Sequence, residues 1–337
     1  MENPKTLQDA ILYFSDEQTC IDAVAQMRWM NGVICPHCEV KTAKPPIYLK
    51  TQKRWKCREC REQFSVKVGT VFEDSPIPLR KWLPALWMLS NCKNGVSSWE
   101  IHRSLGVTQK TAWFMLHRLR LAFIGGGYKH KMGGPGTEVE IDETFVGGKA
   151  TNMHKARKAR INAARTAMRP SELHEFASRY MGKAVVQGFL DREQRKVRAT
   201  VVPNIKRETL QEKILSQVER GSRVYTDQAV SYEKALAKDF VHEMVNHLNK
   251  YVDGRVHTNG LENFWSLLKR GIHGTYVAVE PFHLLRYVDE QVFRYNNRAT
   301  KDNPLNDSDR FLLALSQVAN KRLTYKELTG RDGTTPF

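Results

Sequence analysis

The sequence predicts an α/β fold, in which a mixed sheet with flanking helices follows a small cysteine-bearing module and a helical segment. Two Cys-x-x-Cys pairs lie between positions 35 and 60, and glycine-rich stretches occur at 125–127 and 133–136. Strand-like runs begin directly after the second stretch and then alternate with helical patterns. Because hairpins and strand–helix–strand units are both expected, the sheet should combine antiparallel and parallel neighbours.

The elements follow from periodicity along the chain. Apolar residues at helical spacing, such as Trp82, Leu86 and Leu89, predict helices from residue 79 to about 123. Runs rich in β-branched residues predict strands, two of which form a hairpin through residues 191–194. The elements after the glycine-rich segment are strands 139–146, 184–190 and 196–202, a helix at 210–218, a strand at 223–227, and helices after Asn259 and from His283 to Arg298.

The composition indicates a folded protein with a polyanionic partner. The 337 residues include 53 Lys and Arg against 36 Asp and Glu, a formal net charge of +17. Surplus positive charge attracts phosphate polyanions through counterion release and steering, so a nucleic acid is the expected partner. The sequence contains neither a run of about 18 uncharged apolar residues nor a basic-then-apolar leader, so a cytoplasmic chain is expected.

The cysteine spacing predicts a structural zinc site. Cys35 and Cys38 form one pair, and Cys57 and Cys60 form a second pair after the eighteen intervening residues 39–56. Each pair can point two thiolates at one tetrahedral ion, so the two pairs complete a closed site. A redox site would need one pair in a β–α–β setting, and we interpret His37 as a bystander. Zinc should supply the folding free energy of so small a ribbon.

Residues 97–120 predict a helix-turn-helix. A first helix ends at Leu105, Gly106 allows a turn, and Thr108 can cap the second helix. An ordinary helical hairpin is the alternative, and the basic surroundings favour DNA binding. The side chains expected to pack in the core are Ala112, Leu116 and Leu119. The side chains expected to face DNA are Gln109, Lys110, His117, Arg118 and Arg120.

A basic segment without acidic residues lies between positions 149 and 170. Its many alanines indicate a helical or partly disordered arm, inserted between two strands of the sheet. A solvated surface loop is the alternative, because most charge runs are of that kind. Its place within a basic protein favours contact with phosphates. The basic members are Lys149, Lys155, Arg157, Lys158, Arg160, Arg165 and Arg169.

Two aspartates occupy predicted strands. Asp142 follows the run from Val139, and Asp227 follows the run from Val224. A strand carboxylate is costly to bury unless it is paired or holds a metal. Glu262 lies at the start of a predicted helix, where it can be read in two ways. It is either a third acid or the partner of an N-cap residue three positions earlier in a capping box.

Three carboxylates from two strands and one helix can converge at one end of a sheet and hold two divalent ions. Hard oxygen ligands favour Mg²⁺ or Mn²⁺. Two such ions activate a water or a DNA 3′-hydroxyl and stabilise the leaving oxygen. Lys269 lies seven residues after Glu262, two helical turns along the same face, where it could contact a DNA phosphate.

The motifs around these residues resemble those of bacterial insertion-sequence transposases of the ISXO2-like group. The resemblance extends from Cys35 to about Arg298. The matching segments are Glu140-Ile-Asp-Glu-Thr-Phe-Val-Gly-Gly-Lys149, Tyr225-Thr-Asp227, His257-Thr-Asn-Gly-Leu-Glu-Asn-Phe-Trp-Ser-Leu-Leu-Lys-Arg-Gly271, Gly274-Thr-Tyr276 and Phe293-Arg-Tyr-Asn-Asn-Arg298.

This resemblance implies an RNase H-like catalytic core and cut-and-paste or related movement of a short DNA element. It also implies double-stranded DNA, at the element ends and the target site, as partner, and a homo-oligomer in the DNA complex. We therefore expect a lead-in helix and zinc ribbon in residues 1–72 and the helix-turn-helix in 73–124. The RNase H-like domain is expected in 136–300 with a basic insertion at 149–183, and a C-terminal helical tail in 301–337.

The sequence favours a metal-dependent transposase that nicks and joins DNA strands. One alternative is a DNA-binding regulator, with zinc ribbon and helix-turn-helix but an inactive RNase H-like domain. Another is a structure-selective nuclease on the same fold. Three intact acids argue against the regulator, and the DNA-reading N-terminal part argues against the nuclease. Fold-level analogy carries less weight here than these site residues.

Overall fold

The structure is a computed structural model of the 337-residue chain. It describes residues 4–40, 44–124, 130–147, 155–166, 183–227, 240–245, 257–301, 303–331 and 333. The chain divides into two compact units, one of residues 1–126 with 297–334 and one of residues 127–296 with 335–337. The segment from residue 297 to 334 therefore belongs to the same unit as the N-terminal part.

The helices and strands account for most of the described residues. The helices are α1 (Leu7–Tyr13), α2 (Glu17–Arg28), α3 (Leu79–Asn91), α4 (Ser98–Leu105), α5 (Gln109–Arg120), α6 (Lys155–Thr166), α7 (Arg207–Gln217), α8 (Asn259–Gly271), α9 (Pro281–Asn296), α10 (Asp307–Ser316) and α11 (Tyr325–Leu328). The strands are β1 (Ile47–Leu49), β2 (Arg54–Lys56), β3 (Gln63–Phe64), β4 (Glu138–Val146), β5 (Ala184–Asp191), β6 (Lys196–Val202), β7 (Arg223–Asp227) and β8 (Val241–Val245). None of these described helices has the length and apolar character needed to span a bilayer.

The first unit contains a small antiparallel ribbon of strand order β1-β2-β3. Tyr48 pairs with Trp55, and Trp55 pairs with Phe64, so one face of the ribbon carries three aromatic rings. Trp29, which follows α2, packs on this face with its ring 5.4 Å from that of Trp55 and 6.0 Å from that of Phe64. The apolar face of the ribbon is therefore covered by the helical part of the same unit.

Helices α4 and α5 are joined by a tight turn. Gly106 ends α4 with φ 58° and ψ 47°, the left-handed conformation that favours glycine. The Thr108 side chain accepts a hydrogen bond from the backbone N–H of Thr111 and caps α5, as predicted. The three side chains predicted to pack in the core, Ala112, Leu116 and Leu119, are buried.

Three basic side chains of α5 lie in the interior of the first unit. His117, Arg118 and Arg120 are 0%, 4% and 1% exposed, so the prediction that they face DNA is wrong. The Arg118 guanidinium lies 5.5 Å from the centre of the Trp82 ring and donates to the Glu73 carbonyl. Burial lowers the pKa of Arg118 to about 10. Helix α5 packs against both α3 and α4. Its C-terminal half is therefore buried on more than one side, whereas the sequence pattern predicted one buried apolar face.

The second unit is built on a mixed five-stranded sheet of order β6-β5-β4-β7-β8 in the described residues. β5 pairs antiparallel with both β4 and β6. β7 pairs parallel with both β4 and β8. The predicted mixed sheet with flanking helices is therefore confirmed, and β8 is an additional strand that the sequence pattern did not predict.

Apolar clusters cover both faces of this sheet. One face packs against α7, and its buried residues include Val139, Ile141, Leu210 and Ile214. The other face packs against α8 and α9, and its buried residues include Leu261, Phe264, Leu268, Leu284 and Val288. Alternate residues of a strand point to opposite faces, so Glu140 and Asp142 lie on the face that α8 covers.

Part of the predicted basic arm forms helix α6. Lys155 and Lys158 are exposed on this helix. Arg157, Arg160 and Arg165 belong to the same helix by their backbones. Lys149 and Arg169 lie outside the described residues.

Candidate active site and cysteine centre

The four paired cysteines form one cluster. The Sγ atoms of Cys35 and Cys60 are 3.7 Å apart, as are those of Cys38 and Cys57. All four sulfur atoms lie within 4.8 Å of one another. Zinc–sulfur bonds of about 2.3 Å give sulfur–sulfur edges of about 3.8 Å in a tetrahedron, so this donor set fits one zinc ion. A hydrogen bond from the Cys60 backbone lowers the pKa of Cys57 to about 7, whereas burial raises the pKa of Cys35.

Two other residues that could bind a metal lie apart from this cluster. The His37 ring packs against Phe64, with ring centres 6.3 Å apart, which agrees with its interpretation as a bystander. Cys20 is fully buried, and its Sγ donates to the Phe14 carbonyl at 3.3 Å. Burial raises the pKa of Cys20 to about 12. Cys20 is therefore an inert core residue.

Asp142 lies near the middle of β4, with its carboxylate held by two N–H donors. Oδ1 accepts a hydrogen bond from the Glu143 backbone at 2.8 Å. Oδ2 accepts one from the indole Nε1 of Trp265 at 2.8 Å. An ionised carboxylate has about four lone-pair sites, so one carboxylate can accept hydrogen bonds and also coordinate a cation. Carboxylates that bind metals are commonly oriented by such donors.

The parallel pairing of β4 and β7 brings the backbone of Asp227 beside that of Asp142 on the neighbouring strand. Ile141 pairs with Thr226, and each aspartate is the following residue on its own strand. Neighbouring strands are about 4.8 Å apart, so the two backbone positions lie side by side where β7 ends. The register therefore brings the backbones of these two positions together, and the convergence of their carboxylates stays a prediction.

Glu262 is exposed in the first turn of α8, and it does not cap this helix. The helix starts after Thr258, whose side chain makes no capping hydrogen bond. The backbone N–H of Leu261 donates instead to Oε2 of Glu140 at 3.0 Å. A carboxylate of β4 thus caps α8, and the capping-box reading of Glu262 is wrong.

Glu140 belongs to a buried polar network that the sequence analysis missed. Its carboxylate is 1% exposed and accepts a hydrogen bond from Arg192 Nε at 2.8 Å. Arg192 also donates to Glu138 at 3.1 Å and to the His257 carbonyl at 2.5 Å. A Cβ on Gly260 would lie 2.9 Å from Oε2 of Glu140, so glycine permits the close approach of helix and strand. The network fixes the start of α8 on β4.

Lys269 is exposed on α8, on the same edge as Glu262. Successive helical residues rotate by about 100°, so residues seven positions apart differ by only about 20°. Trp265 lies between them in sequence and reaches Asp142 with its indole. The edge of α8 that carries Glu262 and Lys269 therefore adjoins the side of the helix that contacts Asp142.

Comparisons with known proteins agree with this arrangement. A protein-family model described as transposase zinc-ribbon domain matches residues 15–63. A second family model, described as ISXO2-like transposase domain, matches residues 132–296. The first range contains the four clustered cysteines, and the second contains Asp142, Asp227 and Glu262.

Two curated relatives carry transposon-related names. The chain is 27% identical over 262 residues to an uncharacterized protein in transposable element ISH50 of Halobacterium salinarum, which covers 76% of this chain and 83% of that protein. It is 33% identical over 106 residues to an uncharacterized transposase-like protein of Haemophilus influenzae, which covers 32% of this chain and 85% of that protein.

Proposed function

The chain belongs to the ISXO2-like transposase family, and we propose that it cleaves DNA strands and transfers them during movement of an insertion sequence. The observation that supports this proposal is the parallel register of β4 and β7, in which Ile141 pairs with Thr226, so that Asp142 and Asp227 are the next residues on two neighbouring strands. Three antiparallel strands followed by two parallel strands support an RNase H-like core for the catalytic unit.

Asp142, Asp227 and Glu262 are the proposed ligands of two divalent ions, Mg²⁺ or Mn²⁺. Such ions activate a water or a DNA 3′-hydroxyl and stabilise the leaving oxygen. Oxygen ligands of this kind fit the preference of both ions. The Asp142 carboxylate accepts hydrogen bonds from the Glu143 N–H and the Trp265 indole, and Lys269 would hold the DNA backbone through a phosphate.

Exposed basic side chains on three elements would supply affinity for DNA. On the helix-turn-helix proposed from α4 and α5, the DNA-facing residues are Gln109 and the exposed Lys110, at the N-terminal end of α5. On the ribbon, Arg54 and Lys56 are exposed on the face opposite to the buried Trp55. The third element is α6 of the basic arm. Because an insertion sequence has two ends, we propose that the chain acts as a homo-oligomer on DNA.

The direct test is cleavage of linear DNA that carries the element's own ends. Strand cuts at those ends are expected with Mg²⁺, and none with a chelator or on unrelated DNA of equal length. Sequence-specific binding without cleavage in Mg²⁺ or Mn²⁺ would favour the regulator. Cutting of branched DNA regardless of sequence would favour the structure-selective nuclease.

Neutralising the basic arm is expected to weaken DNA binding about equally for all sequences. Each lost phosphate contact should reduce the slope of log K against log salt concentration by about 0.9. The variant replaces Lys155, Lys158 and Arg160 with glutamine, and binding is measured over a range of salt concentrations. Loss of affinity for one sequence alone would show that the arm reads bases.

A matched control removes the same charge elsewhere in the second unit. Lys206 and Arg207 are exposed and Lys213 is half-buried, and all three lie at or on α7, which covers the opposite face of the sheet from α8. Replacing these three residues with glutamine should leave the salt dependence close to that of the wild type. An equal loss in both variants would mean that net charge, rather than the arm, determines the affinity.

A further inference from the structure

We propose that Trp265 is a positioning residue of the candidate active site. Its indole N–H orients the Asp142 carboxylate and couples it to the helix that carries Glu262. This inference rests on the proposed function, because Trp265 acts through a residue that we assign to metal binding.

The first argument is the chemistry of the Trp265 side chain. Trp265 is 4% exposed in a cluster of apolar residues, where leucine or phenylalanine could also bury apolar area. Tryptophan adds one N–H donor, and here it donates a hydrogen bond to Oδ2 of Asp142 at 2.8 Å. Together with the Glu143 N–H on Oδ1, two donors from different elements define the plane of this carboxylate.

The second argument is the space that the sheet leaves for the indole. Gly188 lies on β5 directly opposite Asp142 in the antiparallel register. A Cβ at Gly188 would lie 2.6 Å from two carbon atoms of the Trp265 ring and 3.1 Å from Leu261 Cδ2. Glycine in a central strand weakens that strand and commonly marks a close approach. Here the missing side chain lets the indole lie on the strand and reach the carboxylate.

The third argument is the match between helix and strand spacing. Glu140 contacts the backbone of Leu261, and Asp142 contacts Trp265. Two residues of a strand span about 6.6 Å, and four residues of a helix span about 6 Å. One turn of α8 is therefore aligned along one repeat of β4. Glu262 lies within that turn, so the two contacts fix its position along the strand direction relative to Asp142.

The experiment is Trp265→Phe, which keeps an aromatic ring and removes the N–H. Loss of a group that orients a metal ligand costs about 10–100-fold in metal affinity or activity. We expect Mn²⁺ affinity, measured by isothermal titration on the full chain without DNA, to fall by about that factor, and cleavage to fall with it. The control is Trp82→Phe, because Trp82 is buried and its Nε1 has no hydrogen-bond partner among the described residues.

A second variant changes neither partner of the hydrogen bond. Gly188→Ala should push the indole away from Asp142 and lower Mn²⁺ affinity by a similar factor. In the Trp265→Phe background it should add little, because both changes remove one interaction. Unchanged Mn²⁺ affinity in folded Trp265→Phe and Gly188→Ala would overturn this inference alone. Wild-type protein that binds no Mn²⁺ would overturn the proposed function and the inference with it.

Discussion

Replacing Glu262 with glutamine is expected to abolish strand cleavage and joining while DNA-end binding stays largely intact. The proposed division of labour explains this result. Basic side chains supply affinity through phosphates, whereas the carboxylates hold the ions that stabilise the transition state. We expect a loss of roughly 10³-fold or more in cleavage rate, comparable to removal of a single group that stabilises a transition state. Asp142→Ala and Asp227→Ala should have the same effect.

Glu262→Gln is the most informative of these variants because it removes the negative charge without removing a group that caps the helix. Glu262 is exposed, and Glu140 rather than Glu262 caps α8, so glutamine should not destabilise the helix. The matched control is Glu212→Gln on α7, an exposed glutamate of the same unit. Cleavage is measured with Mg²⁺, and binding is measured in a chelator. Negative charge near DNA is repulsive, so binding by the Glu262 variant should be equal or slightly tighter.

Two outcomes would contradict this assignment, one for the third ligand alone and one for the whole catalytic proposal. Full cleavage by Glu262→Gln would mean that the third ligand lies elsewhere on the first turn of α8, at Asn259 or Asn263. Retained cleavage in Asp142→Ala or Asp227→Ala would remove the basis of the whole catalytic proposal. Either result would leave the zinc centre untouched, because the cysteines belong to the other unit.

Local pattern was sufficient for most of the five-stranded sheet. The strand predicted at 139–146 is observed as Glu138–Val146, and that at 223–227 as Arg223–Asp227. The edge strand β8 was missed because Val241-His-Glu-Met-Val245 lacks a regular alternation of apolar and polar residues. It pairs in parallel with β7, so its place in the sheet depends on a distant partner.

The site was predicted less completely than the sheet, because its supporting contacts are distant in sequence. The cap of α8 comes from Glu140, which is 121 positions before Leu261. A local capping box at Glu262 is the pattern that sequence alone can recognise, and the tertiary partner replaced it. The same holds for Trp265, whose helical position indicates a core residue while its N–H reaches Asp142. Strand position identified the candidate acids, and packing identified what orients them.

Removal of zinc is expected to unfold the cysteine ribbon. Its strands have three, three and two residues, which is too little structure for a stable apolar core. Binding of structural zinc provides about 10–16 kcal/mol in small ribbons and fingers, so the ion should account for nearly all of the folding free energy. Cys57→Ser is expected to lose zinc, measured by metal analysis, and to expose the buried Trp55, measured by tryptophan fluorescence.

The control for this experiment is Cys92→Ser, because Cys92 lies outside the four-cysteine cluster. Cys92→Ser should retain one zinc ion per chain, whereas Cys57→Ser should weaken DNA binding as the basic face of the ribbon is lost. Mn²⁺ binding should persist in Cys57→Ser, since Asp142, Asp227 and Glu262 belong to the second unit. Wild-type protein without zinc, or a Cys57 variant with an intact ribbon, would show that the thiolates do not hold a structural ion. Loss of zinc and of Mn²⁺ binding together would instead mean that the two units depend on each other for folding.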